Sequence, residues 1–552
     1  MNGLDWAIMV LYMAGMIGMS WWLGKKQTDA SSYYLGGNNL SWWSIGISTM
    51  ATQCSTNSLL GAPAFIITTG LLWLQYEFAV PFAMVLIMMF LLPFYRRLNL
   101  ISIYEYLEKR FDLTTRTILS VLFQFLRAFA TGVTVYGISL VLQEIIGLKF
   151  WIAVLLLGVV TIIYDMLGGM EAVVLSDVIQ MAVLYLGILL CVIYSIDAVG
   201  GLGKVFEYFP QTGEVLARET GKTFDFQAFT AIDFEGHGLG DGKTFAFLPM
   251  LLGGLFLYVS YYGCDQTQVQ RELSSKDMDD TNLSLMLNGL FRFPLVCTYC
   301  FMGVCIGAYM VEHPEFIHSL KSGGEFEFNL AVPMFVLGKL PHGVIGLVIV
   351  ALFSAAMSSL DSTINSLSAT TSMDIYQRLY VRGRWETNAA DQLKLSRIFT
   401  VFWGVMCTGF AFVVAEMENK SVIETINQIS SLASGPILAL FLLGILTTRA
   451  NGKGACLGLL GGFFFDCYLW QYHPKVSWLW WNVLGFAVAF VVGYVFSLFF
   501  PKEDHDLSGL TYSGVSYESL NYRLNWKRNW AILTAYTFVM IGICQWFGSL
   551  NA

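Results

Sequence analysis

The residues best placed to do chemistry lie in SAAMSSLDST, residues 354–363, inside one of the most apolar regions of the chain. A helix turns about 100° per residue, so with Ser358 at zero, Ser362 lies near about 40°, Ala355 about 60°, Ser359 about 100° and Asp361 about −60°. All five share one arc, and each lies within about one turn of Ser358 in height. Such an arc presents two overlapping oxygen clusters. One uses the Ala355 carbonyl with Ser358 and Ser359; the other uses Ser358, Asp361 and Ser362. A small hard cation takes several oxygens, preferably with a carboxylate nearby. The plainer alternative is that membrane serines bond back to the carbonyl four residues earlier, or pack as small residues. Asp361 on the same arc favours the cation.

A second polar run lies in WWSIGISTMATQCSTNSLLGAPAF, from Thr49 through Ser58, followed by Gly61 and Pro63. Proline removes a helix hydrogen bond and glycine loosens a turn. The run reads either as a discontinuous helix whose free carbonyls face a site or as a buried proline kink. Ionisable residues inside apolar segments mark function by default; here they are Glu77, Arg127, Asp177, Asp265, Arg292 and Asp361. Arg292 and Asp265 are the two best explained by snorkelling to the interface.

The elements that must position these residues are membrane spans. The 552 residues are 56% hydrophobic and 13% charged, against about 25% charged in soluble domains. Hydropathy and loop signals place about fourteen spans, near 4–23, 43–73, 75–95, 115–146, 150–167, 172–198, 244–264, 283–311, 329–371, 396–415, 421–447, 453–471, 477–500 and 529–549. The first is not a cleaved signal, because Lys25 and Lys26 follow its apolar core. With the N-terminus outside, the inner loops hold most of the basic residues, including Arg96, Arg97, Arg116, Arg271, Lys276 and Arg378. Both termini then lie outside a cell membrane, by expectation a bacterial inner membrane.

Other chemistries leave no mark. The six histidines show no metal-ligand spacing. HGLGDGKT (237–244) lacks the first glycine of a phosphate loop, so no ATP-driven pump is indicated. Cys297 and Cys300 form a CxxC only by spelling. No soluble segment is large enough for a kinase or nucleic-acid module. The reading is a transporter rather than an enzyme, with no cofactor, no nucleic acid and no obligate protein partner, whose partners are the bilayer, an ion and a small solute.

Four stretches in order resemble the sodium:solute symporters: YDMLGGMEAVVLSDVIQ (164–180), CDQTQVQR (264–271), SSLDSTINS with SMDIYQR, and SGPILALFLLGILTTRANGKGA. The resemblance implies an all-α integral membrane protein with a LeuT-type five-plus-five inverted repeat and extra flanking helices. It implies a first helix and loop over 1–42, a transport core over 43–448 and accessory helices over 449–552. It implies sodium as coupling ion, held by the carbonyls of Ala51, Cys54 and Ala355 and the hydroxyls of Ser358 and Ser359. A second cation site would use Asp177, Ser358, Asp361 and Ser362. Family members usually carry a hydroxyl at 361, so Asp361 is a departure. It strengthens that site, lets it take a proton, or forms an internal salt bridge.

For solute, the resemblance points to Tyr76, Glu77, Tyr258, Tyr261, Asn427 and Gln428, with Gln53 and Ser58 where other polar groups stand in sugar carriers. Arg127 lies where a symporter of an acidic sugar has its carboxylate-binding arginine; its alternative is a structural pair with a helix terminus or an acid. The resemblance therefore implies a sodium symporter of a sugar or sugar acid, with a monocarboxylate, an amino acid or another organic solute as the alternative.

Overall fold

The computed structural model describes residues 1–54, 56–381, 388–416, 422–501, 506–512, 520 and 522–551, and only the backbone at 57, 145, 422–427, 429 and 551. Every hydropathic segment is helical over most of its described length. The helices used below are α1 (Gly3–Gly24), α2 (Trp42–Gln53), α3 (Ala62–Thr69), α4 (Ala79–Phe90), α5 (Leu113–Ile146), α6 (Phe150–Val199), α7 (Gly254–Cys264), α8 (Gln266–Leu273), α9 (Met278–Glu312), α10 (Ala331–Lys339), α11 (Val344–Thr370), α12 (Ala389–Glu416), α13 (Val422–Leu446), α14 (Gly452–Tyr472), α15 (Trp478–Phe499) and α16 (Trp526–Gly548). Among the described residues, nine helical segments are long and apolar enough to cross a membrane by themselves.

Local chemistry sets the ends. Asp112 caps α5 by accepting from the Thr115 amide at 2.7 Å, and Gly147 closes it in a left-handed conformation. The 50-residue stretch α6 is divided at Gly169, with φ 54° and ψ −153°. A Cβ there would stand 2.5 Å from the Tyr33 carbonyl oxygen. Gly169→Ala is therefore expected to destabilise the purified protein by roughly 2 kcal/mol or more, read as a lower thermal unfolding midpoint.

The structure corrects two boundaries and locates a third. The span expected over 329–371 is two helices, α10 and α11. Pro341 forces Leu340 into an extended conformation (ψ 148°), and Gly343 takes φ 90°. Asp5 of α1 then caps α11, accepting from the amides of Gly343 at 2.7 Å and Gly346 at 3.0 Å. The discontinuity expected in the run Thr49–Ser58 lies at Cys54, and the alternative of a proline kink does not hold. α2 stops at Cys54 (φ −78°, ψ 65°), whereas Pro63 sits in the first turn of α3, where its missing N–H costs little. CDQTQVQR is not an inner loop: after a break at Asp265 it forms α8, with residues 266–273 all buried.

α11 packs along α6, α1, α5 and α2, and α9 packs against α2, α3 and α6. This brings the polar arc of α11 against the broken end of α2. Helices α14 and α15 pack by close approach rather than by water-driven burial. On α14, a Cβ on Gly458 or Gly462 would stand 2.4 or 2.6 Å from the carbonyl oxygens of Ala489 and Gly485 on α15.

Candidate functional site

Where α2 stops, its last carbonyls have no helical partner ahead of them. The polar arc of α11 meets them there. Ser358 donates its hydroxyl to the carbonyl of Ala51 at 3.3 Å, or to that of Ala355 in its own helix at 3.3 Å. Ser359 reaches the Thr52 carbonyl at 3.3 Å and that of Ala355 at 3.5 Å. Ser358 is 1% exposed and Cys54 2%. Ala51, Ala355, Ser358 and Ser359 thus converge. Cys54 lies at the break beside them, but the carbonyl that Ser359 meets is that of Thr52. A motif names positions, whereas the register of the last turn decides which carbonyl points inward. Hydroxyls that can turn and carbonyls freed by a break form a set of uncharged oxygens suited to a small monovalent cation.

A turn further along α11 lies a charged cluster. Asp177 on α6 accepts from Ser48 at 2.5 Å and pairs with Arg271 on α8 at 3.2 Å. Arg271 also donates to Ser48 at 2.7 Å, to the Thr267 carbonyl at 2.5 Å and to Ser362. Ser362 and Thr52 share a hydrogen bond at 3.1 Å. Asp361 accepts from the Tyr164 hydroxyl at 2.5 Å and from the amide and hydroxyl of Ser362 at 2.5 and 3.0 Å. Asp177, Ser358, Asp361 and Ser362 are therefore neighbours. The salt bridge considered for Asp361 is made instead by Asp177. The arginine that makes it was expected in a loop, because hydropathy reads a charged, glutamine-rich segment as solvated.

The expected solute residues form two further groups. Glu77 is wholly buried and pairs with Arg292 of α9 at 2.7 Å; the Tyr258 hydroxyl lies 3.4 Å from Glu77. The Tyr258 ring packs on Tyr76 at 5.0 Å. Arg292, 6% exposed, does not snorkel to an interface. Asp265 is half-buried. It pairs with Arg127 at 2.7 Å and caps α8 through the Thr267 amide at 2.8 Å. Arg127 also lies 5.1 Å over the Tyr261 ring, and Gln268 donates to the Tyr261 hydroxyl at 2.7 Å. The Arg127 Nε has no hydrogen-bond partner among the described residues, and neither has the Gln53 Oε1. Ser58 and Gln428 are half-buried; the Asn427 side chain lies outside the described residues. Phe65, Trp73 and Phe245 form an aromatic cluster that continues to Tyr76, with ring centroids 5.1–6.2 Å apart.

The profile of the sodium:solute symporter family matches residues 33–462. The chain belongs to the sodium:solute symporter family. Among its relatives is a sodium/sialic acid symporter from Aliivibrio fischeri, 28% identical over 497 residues, 89% of this chain and 92% of the relative. A sodium-dependent multivitamin transporter from Oryctolagus cuniculus is 33% identical over 429 residues, 77% of this chain and 63% of the relative. A solved, substrate-bound, outward-open sodium-coupled sialic acid symporter superposes with a TM-score of 0.79 at 25% identity, covering 91% of this chain and 99% of that one. The mostly helical membrane fold expected of a symporter holds for this chain. It is a sodium-coupled membrane symporter for a small solute.

Proposed function

We propose that this symporter imports a small organic acid, a sugar acid first among them, and that sodium binds between α2 and α11. The ion's ligands in this reading are the carbonyls of Ala51, Cys54 and Ala355 and the hydroxyls of Ser358 and Ser359, with the Thr52 carbonyl as a further neighbour. Sodium there ties the broken helix to α11 and favours the solute-binding arrangement, so ion and solute tighten each other. Residues 43–448 form the transport core and 449–552 support it. Both termini lie outside a bacterial inner membrane, as the basic residues of the inner loops favour.

The observation that carries the solute class is Arg127. Its guanidinium is paired on one side by Asp265, lies over Tyr261 and keeps Nε unpaired. A planar fork with a free donor suits a carboxylate. Tyr76, Tyr258, Gln53, Ser58, Asn427 and Gln428 would meet the rest of the solute. Competition in whole cells tests this: sugar acids should displace uptake of the transported solute and neutral hexoses should not. Displacement by neutral hexoses with equal potency would overturn it. A monocarboxylate or vitamin carrier is the second reading, favoured by the 33% identity to the multivitamin transporter. Glu77 points the same way, since Arg292 already occupies it.

In the same reading Asp177, Ser358, Asp361 and Ser362 take a second cation. The hydrogen bonds of Asp361 to Tyr164 and Ser362 hold its carboxylate in place. Asp361→Ser is expected to preserve uptake while lowering the Hill slope for sodium towards that of a single ion. An unchanged slope and an unchanged pH profile would refute the coupling role.

A further inference from the structure

The buried cluster around α11 holds more negative charge than its one arginine balances. Asp165, Asp177 and Asp361 are all wholly buried. Arg271 touches Asp177 and Ser362, and Asp361 is met by hydroxyl and amide donors. Asp165, on the first half of α6, is left. Its Oδ1 accepts from the Asn365 side chain at 3.1 Å, and its Oδ2 has no hydrogen-bond partner among the described residues. Thr161 stands one turn earlier on the same face of α6; its hydroxyl is also buried and without a partner. Asn365 follows Asp361 by one turn on α11, and its own carbonyl oxygen accepts from Gln270 at 2.9 Å. Arg271 and Asp177 act on Asp165 only through space, without a hydrogen bond to it; the tyrosines Tyr33 and Tyr34 near it carry no positive charge, and Arg397 reaches Gln27 at 3.3 Å.

A carboxylate buried without a counter-charge is strongly disfavoured. A proton on Oδ2 would have the unpartnered Thr161 hydroxyl as its acceptor, whereas a cation would take oxygen lone pairs from both Oδ2 and that hydroxyl. We infer that Asp165, with Thr161 beside it and Asn365 fixing its orientation, binds a monovalent cation, sodium, at a station one turn beyond Asp361 along α11. The inference rests on the sodium-carrier reading but concerns residues outside both cation sites considered above. Ser358 and Ser359, then Asp361 and Ser362, then Asn365 with Asp165 of α6 facing it, form successive polar levels along α11.

Equilibrium dialysis of the purified chain against radioactive sodium tests this, with Asp165→Asn, Asp165→Glu and the double variant Ser358→Ala/Ser359→Ala beside the unaltered protein. Melting in sodium-free buffer checks that each variant is folded. Asp165→Asn should bind one sodium ion fewer per chain with the affinity of the remainder unchanged, and Asp165→Glu should retain the ion. The serine variant should weaken only the binding that Ser358 and Ser359 support and keep the ion that depends on Asp165. Undiminished stoichiometry in Asp165→Asn overturns the station. So does loss of all sodium binding, which would make Asp165 a structural support. An infrared band of a protonated carboxyl that vanishes in Asp165→Asn would overturn it in favour of a proton. Sodium binding that ignores the serine variant would instead defeat the site between α2 and α11 and leave the Asp165 result to be judged alone.

Discussion

Alanine at both Ser358 and Ser359 should raise the sodium concentration for half-maximal uptake about a hundredfold. A hydroxyl facing a charged partner contributes about 1.5 kcal/mol, which is roughly tenfold in affinity. Two act on the same ion. Folding should suffer little, because without the ion these hydroxyls make bonds of 3.3–3.5 Å to carbonyls, two of them in their own helix. Melting in sodium-free buffer should therefore stay near that of the unaltered protein, while stabilisation by added sodium falls away. Ser366→Ala is the control. Ser366 lies two turns further along α11 and bonds Thr267 and its own helix. It should leave the sodium dependence unchanged.

Glu77→Gln should damage the protein before it damages recognition. Glu77 is wholly buried and its partner Arg292 is 6% exposed. Removing one partner of a buried ion pair leaves an uncompensated charge and costs about 3–5 kcal/mol. Glu77→Gln and Arg292→Gln should each lower the unfolding midpoint strongly. The double variant Glu77→Gln/Arg292→Gln should recover much of the loss, because no lone charge then remains buried. A double variant as unstable as Glu77→Gln alone would mean that the pair is not what stabilises this region. The resemblance alone casts Glu77 as a group awaiting sugar. Its pairing with Arg292 means that lost transport in Glu77→Gln is not, by itself, evidence of a solute contact.

What could be read from the sequence follows from how locally each feature is determined. The arc of Ser358, Ser359, Asp361 and Ser362 belongs to one helix, so the helical period alone arranges it. The apolar segments announce themselves by composition. The break in α2 is legible as the polar run Thr49–Ser58, within which it falls, and not from Gly61 or Pro63. Proline is harmless in a first turn, and the true break at Cys54 carries no breaker residue. Pro341 and Gly343, by contrast, did divide a segment that hydropathy had joined.

Partnerships between helices were not legible. Arg271 meets Asp177 94 positions away, and Arg292 meets Glu77 215 positions away. Hydropathy assigns such charges to loops or interfaces, because it scores each residue as though its surroundings were lipid or water. Buried against an opposite charge, the same residue is an interior one. Asp265 likewise has a charged partner on another helix, Arg127.

Solute uptake into proteoliposomes, with and without an inward sodium gradient and at matched ionic strength, tests the central claim most directly. The account predicts concentrative uptake that needs sodium outside, collapses when the gradient is dissipated, and is lost at ordinary sodium concentrations in Ser358→Ala/Ser359→Ala. Accumulation of the same solute to the same level in potassium as in sodium would contradict it.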